Sequence, residues 1–192
     1  METQNAFYEL AGIAWMAFGA FWLFMALRTK RAVKRQSRWS RLLHIGIGAL
    51  AFWLLFSQVP SWGLLGRPFV ASTAWVWAAG GALTCAGIAL AIWARVLLGR
   101  NWSGAVTIKQ DHQLIRQGPY AALRHPIYSG MLLAVLGTAL VVGRVRGLAA
   151  FVLVFVMFLA KSRIEERFMV EQFGEVYRDY RRRTSAMVPF VL

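Results

Sequence analysis

Residues 127–160 read IYSGMLLAVLGTALVVGRVRGLAAFVLVFVMFLA: two apolar runs, 127–142 and 148–160, separated only by Gly143, Arg144, Val145, Arg146 and Gly147. Runs this apolar, joined by so short a link, predict a tight antiparallel hairpin of helices in a membrane, where each backbone N–H and C=O must be paired within the protein. Outward toward the N-terminus, residues 6–27, 42–59 and 71–98 each supply the roughly 20 apolar residues that a hydrocarbon core of about 30 Å requires. Toward the C-terminus the last helix is expected to continue past Lys161 into water. Beyond it, Phe168, Phe173, Val176, Tyr177 and Tyr180 recur among charges at helical spacing, the pattern of an amphipathic helix on the membrane face. The expected fold class is all-α: a polytopic membrane protein of about five transmembrane helices, with a short C-terminal helical hairpin and a cytoplasmic amphipathic helix.

Composition agrees with this reading. Of 192 residues, 58% are hydrophobic and 16% charged, which places the chain outside the range of ordinary soluble domains. The length suits one compact helical domain and is too short for a transporter built from internal repeats. Twenty-two Lys and Arg against eight Asp and Glu give a net charge of +14, which in a soluble chain would suggest a nucleic-acid partner. Here the bases follow topology: seven lie in 28–41, five in 95–124 and seven from Lys161 onward, leaving only Arg67, Arg144 and Arg146. Five spans put the three rich regions on one side. By the positive-inside rule that side is cytoplasmic, so the N-terminus is expected outside and the C-terminus inside, in a bacterial inner membrane, with no nucleic acid. Glu2 and Glu9, and the lack of a small-residue cleavage site, argue against a signal peptide over 1–27. Trp39, Trp62, Trp75 and Trp102 fall near predicted helix ends as interfacial anchors. Cys85 is the single cysteine, expected as a small packing residue, and no metal-ligand cluster is evident.

The remaining polar residues gather in 109–130 and 163–183, both bordering the hairpin on the basic side. Gly118-Pro119 signals a turn, and Pro126 after His125 marks a helix start. Arg124 and His125 therefore sit just before a helix N-terminus, where unpaired N–H groups and the helix dipole favour an anion. In a chain with eight acids, the adjacent Glu165 and Glu166 at a membrane margin call for cationic partners; Arg163 and Arg167 are the nearest in sequence.

Arg124-His125-Pro126-Ile127-Tyr128-Ser129-Gly130 resembles the R-H-P-x-Y-x-G motif of the isoprenylcysteine carboxyl methyltransferase family, whose wider relatives include membrane phospholipid methyltransferases. Upstream, His112-Gln113-Leu114-Ile115 and Gly118-Pro119-Tyr120 are similar to the same family's pattern, as are Glu165-Glu166, Phe173-Gly174, Tyr177, Tyr180 and Pro189 downstream. Ala121 departs from it, since many members carry a base there. The resemblance implies transfer of a methyl group from S-adenosylmethionine, leaving S-adenosylhomocysteine, to a lipid or isoprenoid-bearing acceptor such as the carboxylate of an isoprenylcysteine. It implies a cofactor pocket of His112, Leu114, Gly118, Tyr120, His125, Tyr128 and Glu165, with Arg124 and Glu166 as catalytic residues. Arg124 would grip an acceptor carboxylate bidentately, and Glu166 would fix that Arg or face the cofactor. Residues 1–98 form an N-terminal membrane region and 99–192 the methyl-transfer region. Two alternatives stand beside it: a sterol-reductase-like membrane enzyme using NADPH, and a non-enzymatic membrane scaffold.

Overall fold

The helices begin and end within a few residues of the apolar runs that predict them, except that the helix built on run 148–160 continues 13 residues past position 160, the continuation expected beyond Lys161. The computed structural model describes residues 2–27, 32–35, 38–57, 63–99, 107–109 and 114–188. It contains α1 (Glu2–Ala26), α2 (Arg38–Phe56), α3 (Ala74–Leu98), α4 (Pro126–Val142), α5 (Val145–Phe173) and α6 (Glu175–Arg183). By length and composition α1, α3 and α5 suffice to cross a membrane; the apolar stretch Leu42–Phe56 of α2 and the whole of α4 are shorter. Leu23, Ile45, Trp53 and Val152 face outward and are exposed, as on helices solvated by lipid. Cys85 is exposed on α3 rather than packed inside. Trp39 and Trp75 are exposed at the starts of α2 and α3; Trp62 and Trp102 lie outside the described residues.

At the centre, α3 and α4 touch backbone to backbone. A Cβ on Gly87 would lie 2.4 Å from the carbonyl oxygen of Gly130, and one on Gly137 would lie 2.5 Å from that of Gly80. Gly80 and Gly87 on α3, and Gly130 and Gly137 on α4, are spaced so that two such contacts stack along one seam, the way small residues bring membrane helices together. Between them Thr84 donates to the carbonyl of Gly80 at 2.9 Å and Thr138 to that of Ala134 at 2.9 Å. The indole Nε1 of Trp15 on α1 donates to the Thr138 hydroxyl at 3.0 Å, so this buried polar group is used to add a third helix.

The α4–α5 link is tighter than the five residues expected. Only Gly143 and Arg144 lie between the helices, and Gly147 is already inside α5. Gly143 takes the left-handed conformation (φ +68°) and returns its N–H to the Ala139 carbonyl at 2.8 Å, an arrangement that glycine adopts without a Cβ penalty. The segment 66–69 pairs with this turn: Val145 N–H donates to Arg67 O at 2.9 Å, Phe69 N–H to Gly143 O at 3.1 Å, and Arg144 Nη1 to Gly66 O at 2.8 Å. Arg146 donates to Ser57 O, just past the C-terminal end of α2. Arg67, Arg144 and Arg146 thus share one end of the bundle.

The other three basic regions meet at the opposite end. A short antiparallel pair, β1 (Ala32–Arg35) with β2 (Thr107–Lys109), joins the α1–α2 connection to the segment after α3, with Arg35 opposite Thr107. A parallel bridge, Leu123 to Ser185, joins that segment to the chain after α6. Arg95, counted with the basic region 95–124, is not a charge on the surface: it is buried in the last turn of α3, donating to Met25 O at 2.9 Å and Gly99 O at 2.7 Å. These carbonyls lie at the C-terminal ends of α1 and α3, the negative ends of the helix dipoles.

Candidate active site

Pro126 opens α4, leaving His125 as an N-cap residue whose side chain makes no cap hydrogen bond. The chain after α6 lies along this entrance instead. Arg124 N–H donates to Ser185 O at 2.8 Å, His125 N–H to Ala186 O at 2.9 Å, and Ser185 N–H to Ala122 O at 3.0 Å. The Ser129 hydroxyl donates to Met187 O at 2.5 Å. One turn earlier, the buried Tyr180 hydroxyl donates to Tyr120 O at 2.6 Å. Burial raises that phenol to about 12, so it remains a protonated donor. Residues 184–187 form a strap across the first turn of α4, held largely through backbone groups.

From α5, one face carries Phe158, Ser162, Glu165 and Glu166 toward α4, at the i, i+4, i+7, i+8 spacing of a buried helical stripe. Glu165 and Glu166 lie just beyond the apolar run and are largely enclosed. Their partners are not Arg163 and Arg167, which are exposed, but groups brought from two other elements. Arg124 Nε donates to Glu166 Oε1 at 2.7 Å. Arg124 Nη1 donates to Arg181 O at 3.1 Å and to Thr184 O. Arg181 Nε approaches Glu166 Oε2 at 3.4 Å. The His125 ring lies between the two acids, Nδ1 3.4 Å from Glu165 Oε2 and Nε2 3.4 Å from Glu166 Oε1. Burial works against a charged imidazole, but hydrogen bonding and attraction from Glu165 and Glu166 together outweigh it and raise the His125 pKa.

Tyr128 ties this polar group to the apolar bundle. Its hydroxyl donates to Glu165 Oε1 at 2.6 Å. Its ring is stacked with those of His125 (5.3 Å, 4°) and Phe158 (4.4 Å, 6°), with Lys161 Nζ 5.3 Å from its centroid. Of the residues singled out in the sequence, Arg124, His125, Tyr128, Glu165 and Glu166 therefore converge. Gly118 and Tyr120 turn toward α3: a Cβ on Gly118 would meet Leu97 at 2.5 Å, and the Tyr120 hydroxyl reaches Ala94 O at 3.4 Å. Tyr120 is linked to the cluster through its backbone bond with Tyr180. Leu114 is half-buried, and His112 lies outside the described residues.

Phe158, Lys161, Arg181 and the strap are the participants that sequence reasoning did not select. Phe158 had a signal, two helical turns before Glu166 on the same face. Arg181 had none, being one of three consecutive arginines. The bidentate grip expected of Arg124 is not available, because its Nε and Nη1 donors are engaged within the protein and only Nη2 remains.

Comparison with known proteins places this geometry. The phospholipid methyltransferase family matches residues 75–176, more than half of the chain, from the start of α3 into α6. The protein-S-isoprenylcysteine O-methyltransferase of Schizosaccharomyces pombe is 34% identical over 110 residues, covering 56% of this chain and 47% of that protein. Protein-S-isoprenylcysteine O-methyltransferase B of Arabidopsis thaliana is 31% identical over 99 residues, covering 50% of each. The chain thus spans about half the length of the curated relatives it matches. A solved structure of a eukaryotic intramembrane Ras methyltransferase, isoprenylcysteine carboxyl methyltransferase, has the same fold over 83% of this chain and 55% of that one, with a TM-score of 0.62 and 23% identity. Apolar helices, the α3–α4 seam and the cluster at its end thus lie together in an integral membrane protein that belongs to the phospholipid methyltransferase family and has relatives among the isoprenylcysteine carboxyl methyltransferases.

Proposed function

We propose that the protein transfers a methyl group from S-adenosylmethionine to the carboxylate of an isoprenylcysteine-like lipid, releasing S-adenosylhomocysteine. The observation that carries this reading is the pairing of Glu165 and Glu166 with Arg124 and His125 at the start of α4, just outside the apolar run, in a chain of this family.

The donor set suits the cofactor. Two carboxylates complement its sulfonium and amino group. His125, its Nε2 buried 3.4 Å from Glu166 Oε1, sits between the two acids and fixes where they point. Glu165, Tyr128 and His125 would contact it, with His112 and Leu114 as further pocket residues, while Gly118 and Tyr120, packed against α3, would shape the pocket from behind. When bound, the cofactor supplies an electrophilic methyl group on positively charged sulfur. The protein's own part is to align the acceptor and exclude water, because an in-line displacement rewards geometry. A carboxylate acceptor is ionised near pH 7 and needs no general base. That matches a His125 placed between two acids that raise its pKa, an arrangement suited to holding the acids rather than to accepting a proton. Arg124 acts mainly by positioning Glu166 and the strap, while Nη2 offers one donor edge to the acceptor.

The same reading assigns five helices to the bilayer, α6 to its face, the N-terminus to the outside and the C-terminus to the cytoplasm of a bacterial inner membrane. Residues 1–98 form the lipid-embedded scaffold and 99–192 the methyl-transfer region. The test is labelled methyl transfer by purified protein to prenylcysteine analogues, phospholipids and small thiols. The expected product is a methyl ester of the prenylcysteine, releasing label as methanol in mild alkali. Saturable NADPH binding without S-adenosylmethionine binding would overturn the reading.

A further inference from the structure

We infer that the basic outer face of α6 is a contact for anionic lipid headgroups, and that this contact holds the C-terminal strap closed over the candidate site. The inference is independent of which reaction the site performs.

The chain path sets the height of α6. α5 continues 13 residues beyond position 160, roughly 20 Å past the apolar run. Gly174 (φ +54°) then ends it, and α6 turns back. Ser185 and Ala186 pair with Arg124 and His125, the two residues before α4 enters its apolar run. The C-terminal end of α6 therefore descends to the margin of the apolar helices, the level at which lipid phosphates lie.

The two faces of α6 differ in kind. Tyr177 and Tyr180 are buried against the protein. Arg178, Arg182 and Arg183 face away, with side chains 51%, 65% and 76% exposed. Glu175 pairs with Arg178, but Asp179 alone serves both Arg182 and Arg183, so the outer face keeps excess positive charge where it meets the margin. Positive charge next to a negatively charged leaflet is attracted at short range and screened by salt.

Arg183 is followed directly by the strap. The strap is held by backbone pairing, by Arg124 and by Ser129, with the Met187 side chain buried beyond it. Anchoring Arg182 and Arg183 on headgroups restrains the segment that must lift for the strap to open. Phosphatidylglycerol is the probe that matches this chemistry.

The experiment is amide hydrogen exchange of residues 181–188 in the full chain, reconstituted into phosphatidylcholine vesicles with or without phosphatidylglycerol. Exchange is expected to slow about fivefold with phosphatidylglycerol, the factor for one basic residue at a charged surface. Arg182→Gln with Arg183→Gln removes the difference, whereas Arg67→Gln at the opposite end leaves it. In the unaltered protein, raising salt from about 0.05 M to about 0.5 M removes it too. Equal exchange in the two lipids, a lipid effect that survives high salt, or one that persists in the double variant with normal protection of α3 and α4, would each overturn the inference.

Discussion

Along α4, two contacts one above the other are made by opposite means. The seam with α3 depends chiefly on side chains that are absent: Gly87 and Gly130 let the backbones meet, and that closeness lets the small hydroxyls of Thr84 and Thr138 bond within their own helices and to each other at 3.3 Å. The cluster at the start of α4 depends on charges drawn from three elements, with Glu166 facing Arg124, His125 and Arg181. Apolar packing in a membrane is indifferent to most chemistry and strict about volume. The charged cluster tolerates little change in either. The seam therefore holds the frame against which the cluster is aligned, and the two should respond differently to substitution.

The largest effect is expected at the seam. Gly130→Leu forces a side chain into the Gly87 carbonyl and should cost more than about 3 kcal/mol, read as loss of the folded peak and of cooperative unfolding in detergent. A normal melting profile would mean that α3 and α4 do not pack this closely. Next is Glu166→Gln, which keeps volume and removes charge. It should lower methyl transfer about 100-fold while helicity and monodispersity persist. Arg124→Lys should not restore the arrangement, since an ammonium cannot serve Glu166 and the strap carbonyls in the geometry of a planar guanidinium. Retained activity in either variant would detach the cluster from the chemistry.

A pH series sharpens the contrast. Because the folded protein holds the His125 pKa above its ordinary value, this interaction stabilises fully below about pH 6.5 and is lost as pH rises through the raised value. Melting temperature in detergent should decline over that interval and do so less steeply in His125→Asn; identical slopes would remove His125 as the cause. The smallest effect is expected at the far end, where Arg146→Gln loses a partly exposed bond to Ser57 O. About 1 kcal/mol of stability and little activity should be lost, measured by the same melts and assays.

How legible these regions were in the sequence follows the same division. The apolar runs marked the helices because burial of backbone polar groups in lipid leaves few alternatives. Pro126 marked the start of α4 because proline has no N–H to place in the helix interior. Glu165 and Glu166 drew attention through scarcity, and the pairing of Glu166 with Arg124 that the family motif implied is formed, whereas Arg163 and Arg167, near in sequence, point away and Arg181 joins from a distant turn. Arg95 counted toward the basic cytoplasmic region, but the C-terminal ends of α1 and α3 close around it. Gly118 and Tyr120 belong to the same motif as His125 but face α3, because a motif records a stretch of chain and not the direction of each side chain.

The sequence by itself determined the membrane helices, the hairpin and the end of the bundle at which the chemistry gathers. Periodicity, chain length and charge asymmetry are local or additive quantities, readable without coordinates. Tertiary structure decided that Arg181 joins Arg124 and His125 around Glu166, that the donors of Arg124 are occupied by the protein itself, and that residues 184–187 cross the entrance to α4. Those outcomes depend on distances between residues 40 to 60 positions apart, which are fixed only when the α3–α4 seam closes and α6 turns back upon it.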